Sequence, residues 1–572
     1  MKKCKKSRPR VHVNLLPDTA VWSGPGHPAG LSRPRMNTLN FTLFGLYLLI
    51  NVAIGLAVAR RATTNARDYF LAGEGLPWYA IGGSIIAANI STEHFIGMVG
   101  VAYVAGFVVA QWEWGNVVTF SALIWIFLPF YIRGGLYTMP EFLERRYNSH
   151  CRTFFAVCCL VLWIVAQMAV VMLAGAKAMR GMFDINETVT IVALAVLAGS
   201  YTIYGGLKSV AWTDFLQFVV MMIGGLVVTV VGLEKVGGLS ALMHEVPGKF
   251  KIIFPANDPE FPWFGVWTAF LSVGIWYNCT NQFIVQRCLG ARSEWDARMG
   301  VVLAGYMKIA LPLMVVIPGI VAFRLYPDLP DKDLAFPTLV RELLPVGMGG
   351  IVMAGLASGM LSHISSVLNS CSTVFTMDLY KPFLGNGKDD KHLVRVGRVS
   401  GFVILVVATL LAIWFTHQQL GIFMLIQNIG AWVAAPIAAV FLMGVFWRGA
   451  TAAAATFVLW FGFPFTWLVE AVVFKKIAQL VQYDNFLNRT FVVWITCIFV
   501  MVVISWFTRA PSAAQLEGII WSPKLAALPE EERRRHGGLR SLFLWWAVFV
   551  GLMAALYAYF FWFQFFGPAK GL

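Results

Sequence analysis

An all-α, polytopic membrane protein of about fourteen transmembrane helices is the fold class this sequence predicts, on three observations. Only 13% of the 572 residues are charged, against roughly 25% in soluble domains. Hydrophobic residues make up 58%, with 45 Phe and 22 Trp, and the mean hydropathy is +0.70; so large an apolar excess needs a surrounding other than water. Apolar runs near the ~20 residues that a bilayer core requires recur along the whole chain. Little length is left for a soluble catalytic domain, and no enzymatic activity is expected.

In chain order, the crossing stretches lie at 38–59, 76–104, 107–131, 153–176, 187–204, 209–234, 263–286, 299–323, 347–377, 396–415, 420–446, 450–473, 488–508 and 541–565. Lys and Arg in the intervening loops give the orientation. Arg60, Arg61 and Arg67 follow the first stretch, Arg133, Arg145, Arg146 and Arg152 the third, and Arg287, Arg292 and Arg298 the seventh. Lys381, Lys388, Lys391, Arg395 and Arg398 follow the ninth, and the 509–540 loop after the thirteenth carries Arg509, Lys524, Arg533, Arg534, Arg535 and Arg540. All these loops fall on one side, which is therefore cytoplasmic, in a multi-pass protein of the cell (plasma or inner) membrane.

Residues 1–35 break this pattern, because Lys2, Lys3, Lys5, Lys6, Arg8, Arg10, Arg33 and Arg35 would lie outside. They lack the apolar centre of a signal peptide, and Met36 stands just before the first crossing; the segment reads as a disordered or mis-assigned N-terminal extension. It carries about half of the net charge of +15, and the rest sits mainly in inner loops. The positive balance thus records orientation, and no nucleic-acid partner is expected. The eight cysteines are scattered without a CxxC pair, so neither a disulfide framework nor a zinc site is expected.

Polarity inside the crossings marks the candidate sites, since an ionisable residue at mid-bilayer costs at least ~2.5 kcal/mol. Glu93, His94, Glu113, Asp214, Lys308, His363 and Gln427 stand out. In the second crossing Asn89, Ser91, Thr92, Glu93 and His94 interrupt an apolar helix, as suits an unwound segment whose freed carbonyls coordinate a cation. The seventh has a comparable interruption, "IWYNCTNQFIVQR" (Ile275–Arg287). The two breaks lie five crossings apart, the spacing of two inverted five-helix repeats. The ninth carries Ser362, Ser365 and Ser366 at spacings of three and four, a face that either packs tightly or offers oxygens to a hard cation; Asp214 would supply the balancing carboxylate.

Long stretches resemble the sodium:solute symporter family, its sodium/sugar cotransporter branch in particular: "DYFLAGEGLPWYAIGGSIIAANIS", "YTMPEFLERRY", "YGGLKSVAWTDFLQ", "NQFIVQR", "NSCSTVFTMDLY" and "PIAAVFLMGVFWR". The resemblance runs from about Asn37 through the last crossing. It implies a leading helix (36–60), a ten-helix transport core (76–446) built as two inverted repeats with broken first and sixth helices, and trailing helices (450–565) that include the 509–540 loop. It also implies that the chain imports a sugar or sugar-like polyol with sodium by alternating access; a sodium symporter for another small solute, such as a carboxylate or amino acid, and a proton-coupled or uncoupled sugar carrier are the alternatives. No cofactor and no obligate protein partner are expected; the partners are the small-molecule substrate and the bilayer.

By resemblance, a sodium ion shared across the fold matches the carbonyls of Ala87, Ile90 and Gly359 and the hydroxyl of Ser362. Where the family has a second serine this chain has His363, a poor ligand for a hard ion. A second sodium site matches Asp214, Ser365 and Ser366. The sugar pocket matches His94, Glu113, Lys308 and Gln427, with Tyr277 as the aromatic that closes it from inside. A carboxylate, an ammonium and an amide suit the hydroxyls of a polyol, and a ring covers its apolar face. A buried structural pair is the plainer reading of Glu113 and Lys308.

Overall fold

The computed structural model describes residues 38–60, 65–345, 347–417, 422–477 and 481–568, and the expected extension 1–35 lies outside them. The helices are α1 (Thr38–Ala59), α2 (Trp78–Asn89), α3 (Glu93–Arg133), α4 (Ser149–Phe183), α5 (Glu187–Lys235), α6 (263–280), α7 (Gln282–Leu289) and α8 (Glu294–Leu325). They continue with α9 (Met348–Phe383), α10 (Asp390–Thr416), α11 (Ile422–Phe446), α12 (Ala452–Phe474), α13 (Phe486–Trp506) and α14 (Leu542–Phe565). Polar residues start them where the loops end. The side chains of Asn148, Asn186, Ser293, Asp389 and Ser541 each accept from the N–H three residues on, capping α4, α5, α8, α10 and α14.

Among the described residues, ten helices are long and apolar enough to cross a membrane. The fourteen expected crossings are not fourteen separate helices. The fifth and sixth lie in one 49-residue element, α5, bent where Gly206 adopts φ 57° and ψ −152°. The end of the second and all of the third lie in α3, which bends sharply where Gly106 adopts φ 80° and ψ −146°. Both conformations favour glycine. The remaining start of the second is α2, and the seventh is split between α6 and α7.

Five passages from α2 to the end of α5 are followed by five from α6 to α11. An odd number of passages means that the second run enters from the opposite face, which makes the repeats inverted. Each run opens with a broken helix. Ile90 is extended (φ −93°, ψ 124°) between α2 and α3, and Asn281 (φ −83°, ψ 122°) separates α6 from α7.

Burial separates centre from periphery. In α9, 94% of the most apolar window is buried, against 17% in α1 and in α14. α9 packs along α5, where small residues let the backbones meet: a Cβ on Gly355 would stand 3.3 Å from the Gly224 Cα. The polar stretch of α9 therefore lies in the middle of the molecule, beside both breaks.

The 509–540 connector holds three short helices, Ala513–Leu516, Pro523–Ala526 and Glu530–Arg535. It straps one end of the bundle. The Trp521 indole donates to the Trp125 carbonyl at 3.0 Å, and Arg298 donates to the Ala526 carbonyl at 2.6 Å.

Candidate functional site

Two buried clusters grow from the α2 break. The first joins α2, α3 and α8. Lys308 Nζ lies 2.5 Å from Glu113 Oε2 and also donates to the Asn89 side-chain oxygen. His94 Nε2 lies 3.4 Å from Glu113 Oε1. The Ser91 N–H donates to His94 Nδ1 at 3.3 Å, so Nδ1 is the acceptor and Nε2 carries the proton that faces the carboxylate. Glu113 and Lys308 are each 2% exposed, whereas the His94 side chain retains 15%. Each Glu113 oxygen keeps lone-pair capacity and Lys308 keeps one N–H, so the cluster has hydrogen-bonding capacity for the hydroxyls of a neutral solute without breaking the ion pair.

The cluster is backed by an amide ladder between α3 and α6. Asn278 donates to Asn116 Oδ1 at 2.6 Å and to Thr119 Oγ1 at 2.9 Å, and Asn116 donates to the Glu113 carbonyl at 3.0 Å. Gly274 makes this approach possible, since a Cβ there would stand 2.7 Å from the Thr119 methyl. Tyr277 stands on α6 with its ring 5.9 Å from that of Phe283, edge to face. Gln427 falls on α11, and its side chain lies outside the described residues.

The second cluster is centred on Asp214 of α5. Ser362 donates to its Oδ1 at 2.6 Å; Ser84 and Ser366 donate to its Oδ2 at 2.6 and 3.2 Å. Arg287 of α7 lies 3.1 Å from the same Oδ2 and donates to Ser84 Oγ at 2.6 Å and to the Ser366 hydroxyl. Both charged side chains are fully enclosed, at 0% and 1% exposure. Four elements thus meet on one carboxylate, and the guanidinium balances its charge.

The expected residues divide accordingly. His94, Glu113 and Lys308 come together, as do Asp214, Ser362 and Ser366. Ser365 does not join them: its hydroxyl donates to the Ser362 carbonyl at 3.0 Å, back into its own helix. Ala87 and Ile90 flank the break. Gly359 packs on it so closely that a Cβ would stand 3.2 Å from the Ile90 carbonyl oxygen. Sequence reasoning placed Arg287 among the orienting loop charges and missed its place beside Asp214; the signal was Asp214 itself, a carboxylate inside a crossing that needs a countercharge.

Three comparisons bear on this geometry. The model of the sodium:solute symporter family matches residues 69–462. A sodium/glucose cotransporter of Vibrio parahaemolyticus is 36% identical over 455 residues, covering 73% of this chain and 83% of the relative. A sodium/myo-inositol cotransporter 2 of Mus musculus is 31% identical over 535 residues, 85% of this chain and 79% of the relative. Among solved structures, a Na+-coupled sialic acid symporter in a substrate-bound, outward-open state superposes with a TM-score of 0.74 at 21% identity, covering 83% of this chain and 99% of the other. That likeness is one of fold.

Proposed function

The chain belongs to the sodium:solute symporter family, and from that premise we propose that it imports a sugar or sugar-like polyol together with sodium by alternating access, as a multi-pass protein of the cell membrane. The observation that carries this reading is the Asn89–Lys308–Glu113–His94 cluster, buried at the α2 break with donor and acceptor capacity to spare. Substrate hydroxyls engage Glu113, Lys308 and His94; Gln427 completes the pocket, and Tyr277 closes it from the inside. With Lys308 committed to Glu113, the cluster offers an anionic solute no unpaired countercharge.

Sodium is cargo as well as fuel. One charge moving down the membrane potential releases ~2.3 kcal/mol per 100 mV. Asp214, Ser362 and Ser366 offer it a carboxylate and hydroxyls, the hard oxygen donors such an ion prefers. Arg287 occupies the same carboxylate, so guanidinium and sodium compete for it, and arrival of the ion loosens the tie between α5 and α7. Release of that tie frees the inner half of the broken helix to move.

Purified protein in liposomes tests the reading, with a Na+, H+ or null gradient and labelled glucose, myo-inositol and small carboxylates. Accumulation of a sugar or polyol only under the Na+ gradient is the expected result. Accumulation without sodium, or of carboxylates alone, would defeat it.

A further inference from the structure

The break between α2 and α3 strips carbonyls of their helical donors. The Ser91 N–H, which would serve Ala87 in an unbroken helix, donates to His94 Nδ1 at 3.3 Å; the His94 N–H, which would serve Ile90, donates to the Ser91 carbonyl at 3.1 Å. Carbonyls freed within a membrane must find another partner, either an ion or an N–H. Here the partner between them in sequence is a side chain of α9: His363 Nδ1 lies 2.8 Å from the Ala88 oxygen. A carbonyl has no proton to give, so Nδ1 donates.

The imidazole is held firmly in this role. His363 is 3% exposed, and its ring stands edge-on to Phe283 at 5.7 Å. Its Nε2 is buried without a hydrogen-bond partner. The neighbouring hydroxyl is engaged elsewhere, because Ser362 donates to Asp214 Oδ1 at 2.6 Å. Between the Ala87 and Ile90 carbonyls the broken helix is therefore tied to α9 by a nitrogen donor whose N–H points at the Ala88 carbonyl, the wrong polarity for a cation. A short distance away, Asp214 gathers Ser84, Ser362 and Ser366, a carboxylate and hydroxyls that suit a hard cation once it displaces Arg287 from the same Oδ2.

We infer that His363 does the bridging that an ion would otherwise do between the α2 break and α9, so that the chain carries a single coupling sodium ion, taken at Asp214. The inference rests on sodium as the coupling ion, and it deepens that reading by fixing how many ions travel and which side chain sets the number. His363 acts as a positioning residue, holding the unwound segment against α9 whether or not sodium is present.

Equilibrium binding of radioactive 22Na+ to the purified full chain, in detergent and without any solute, tests this apart from the polyol reading. One ion per chain is expected for the unsubstituted protein, none for Asp214→Asn and two for His363→Ser, where a hydroxyl replaces the imidazole. Two ions on the unsubstituted chain, retention of one by Asp214→Asn, or a count still at one in a folded His363→Ser chain would each overturn the inference. The first two results need no substitution at 363, so the test survives misfolding of that variant. A chain that binds one ion in this pattern yet imports no polyol in liposomes would leave the inference standing and defeat the substrate reading instead.

Discussion

Two buried carboxylates flank the broken helix, and they are partnered in opposite ways. Glu113 shares its oxygens between Lys308 at 2.5 Å and a His94 whose side chain keeps 15% exposure. Asp214 is sealed, with Ser84, Ser362, Ser366 and Arg287 all directed at it. On the reading proposed above, the first pair takes a neutral polyol by adding hydrogen bonds around an intact ion pair, and the second takes a cation only by giving one up. On that reading the two cargoes are set apart by what each carboxylate must surrender: nothing for the solute, a guanidinium for the ion.

The largest effect that would break this contrast is expected at Arg287. Arg287→Ala leaves a buried carboxylate unpaired, which costs about 3–5 kcal/mol. Sodium then has no competitor, so thermal unfolding of the variant should be sharply lowered in choline and largely restored by Na+. Equal destabilisation in both salts would show that the two carboxylates do not differ in the way described. Next comes Glu113→Gln, which replaces charge-assisted hydrogen bonds worth about 2–3 kcal/mol. A roughly thirty- to hundredfold rise in KM for the solute follows at 1.4 kcal/mol per tenfold, while 22Na+ binding stays intact; loss of both together would merge the two sites into one. Asn89→Ala removes one acceptor from Lys308 and is expected to cost about 1 kcal/mol, read as a roughly fivefold rise in KM.

The architecture was legible in the sequence because hydropathy and loop charge are local signals. The breaks were legible too, since Asn89–His94 and Asn278–Gln282 put polar residues where an apolar helix should continue. What one-dimensional reading missed was pairing. Arg287 sits near a helix end and was counted with the inner-face charges, yet α7 folds it inward onto Asp214, 73 residues away. Ser365 shares the serine spacing of α9, but a hydroxyl on a helix always has a second acceptor in the preceding turn, and Ser365 takes it. The helix count blurred for a related reason: glycines at 106 and 206 bend the backbone without ending the helical run, so crossings and helices do not correspond one to one.

The smallest expected effect lies outside the bilayer and asks whether the strap takes part in the contrast. Glu532 of the connector accepts the N–H groups of Glu294 and Trp295 at 3.2 and 2.7 Å, at the start of the helix that carries Lys308. His536 stacks on Trp295 at 4.1 Å, and the Trp295 indole donates to the Arg540 carbonyl at 3.0 Å. A carboxylate at a helix N-terminus contributes about 0.3–1 kcal/mol and weakens with salt. Glu532→Gln keeps an oxygen for one of those two N–H groups, puts an amide NH2 where the other was accepted and removes the charge, so its unfolding temperature should fall by only a few degrees, less at high ionic strength. Because α8 bears Lys308 and none of the Asp214 cluster, any functional consequence should, on the proposed reading, appear in KM for the solute and leave the 22Na+ count at one. A change in the sodium count would mean that the strap reaches the ion site, and the two clusters would then have to be treated as mechanically joined through α8.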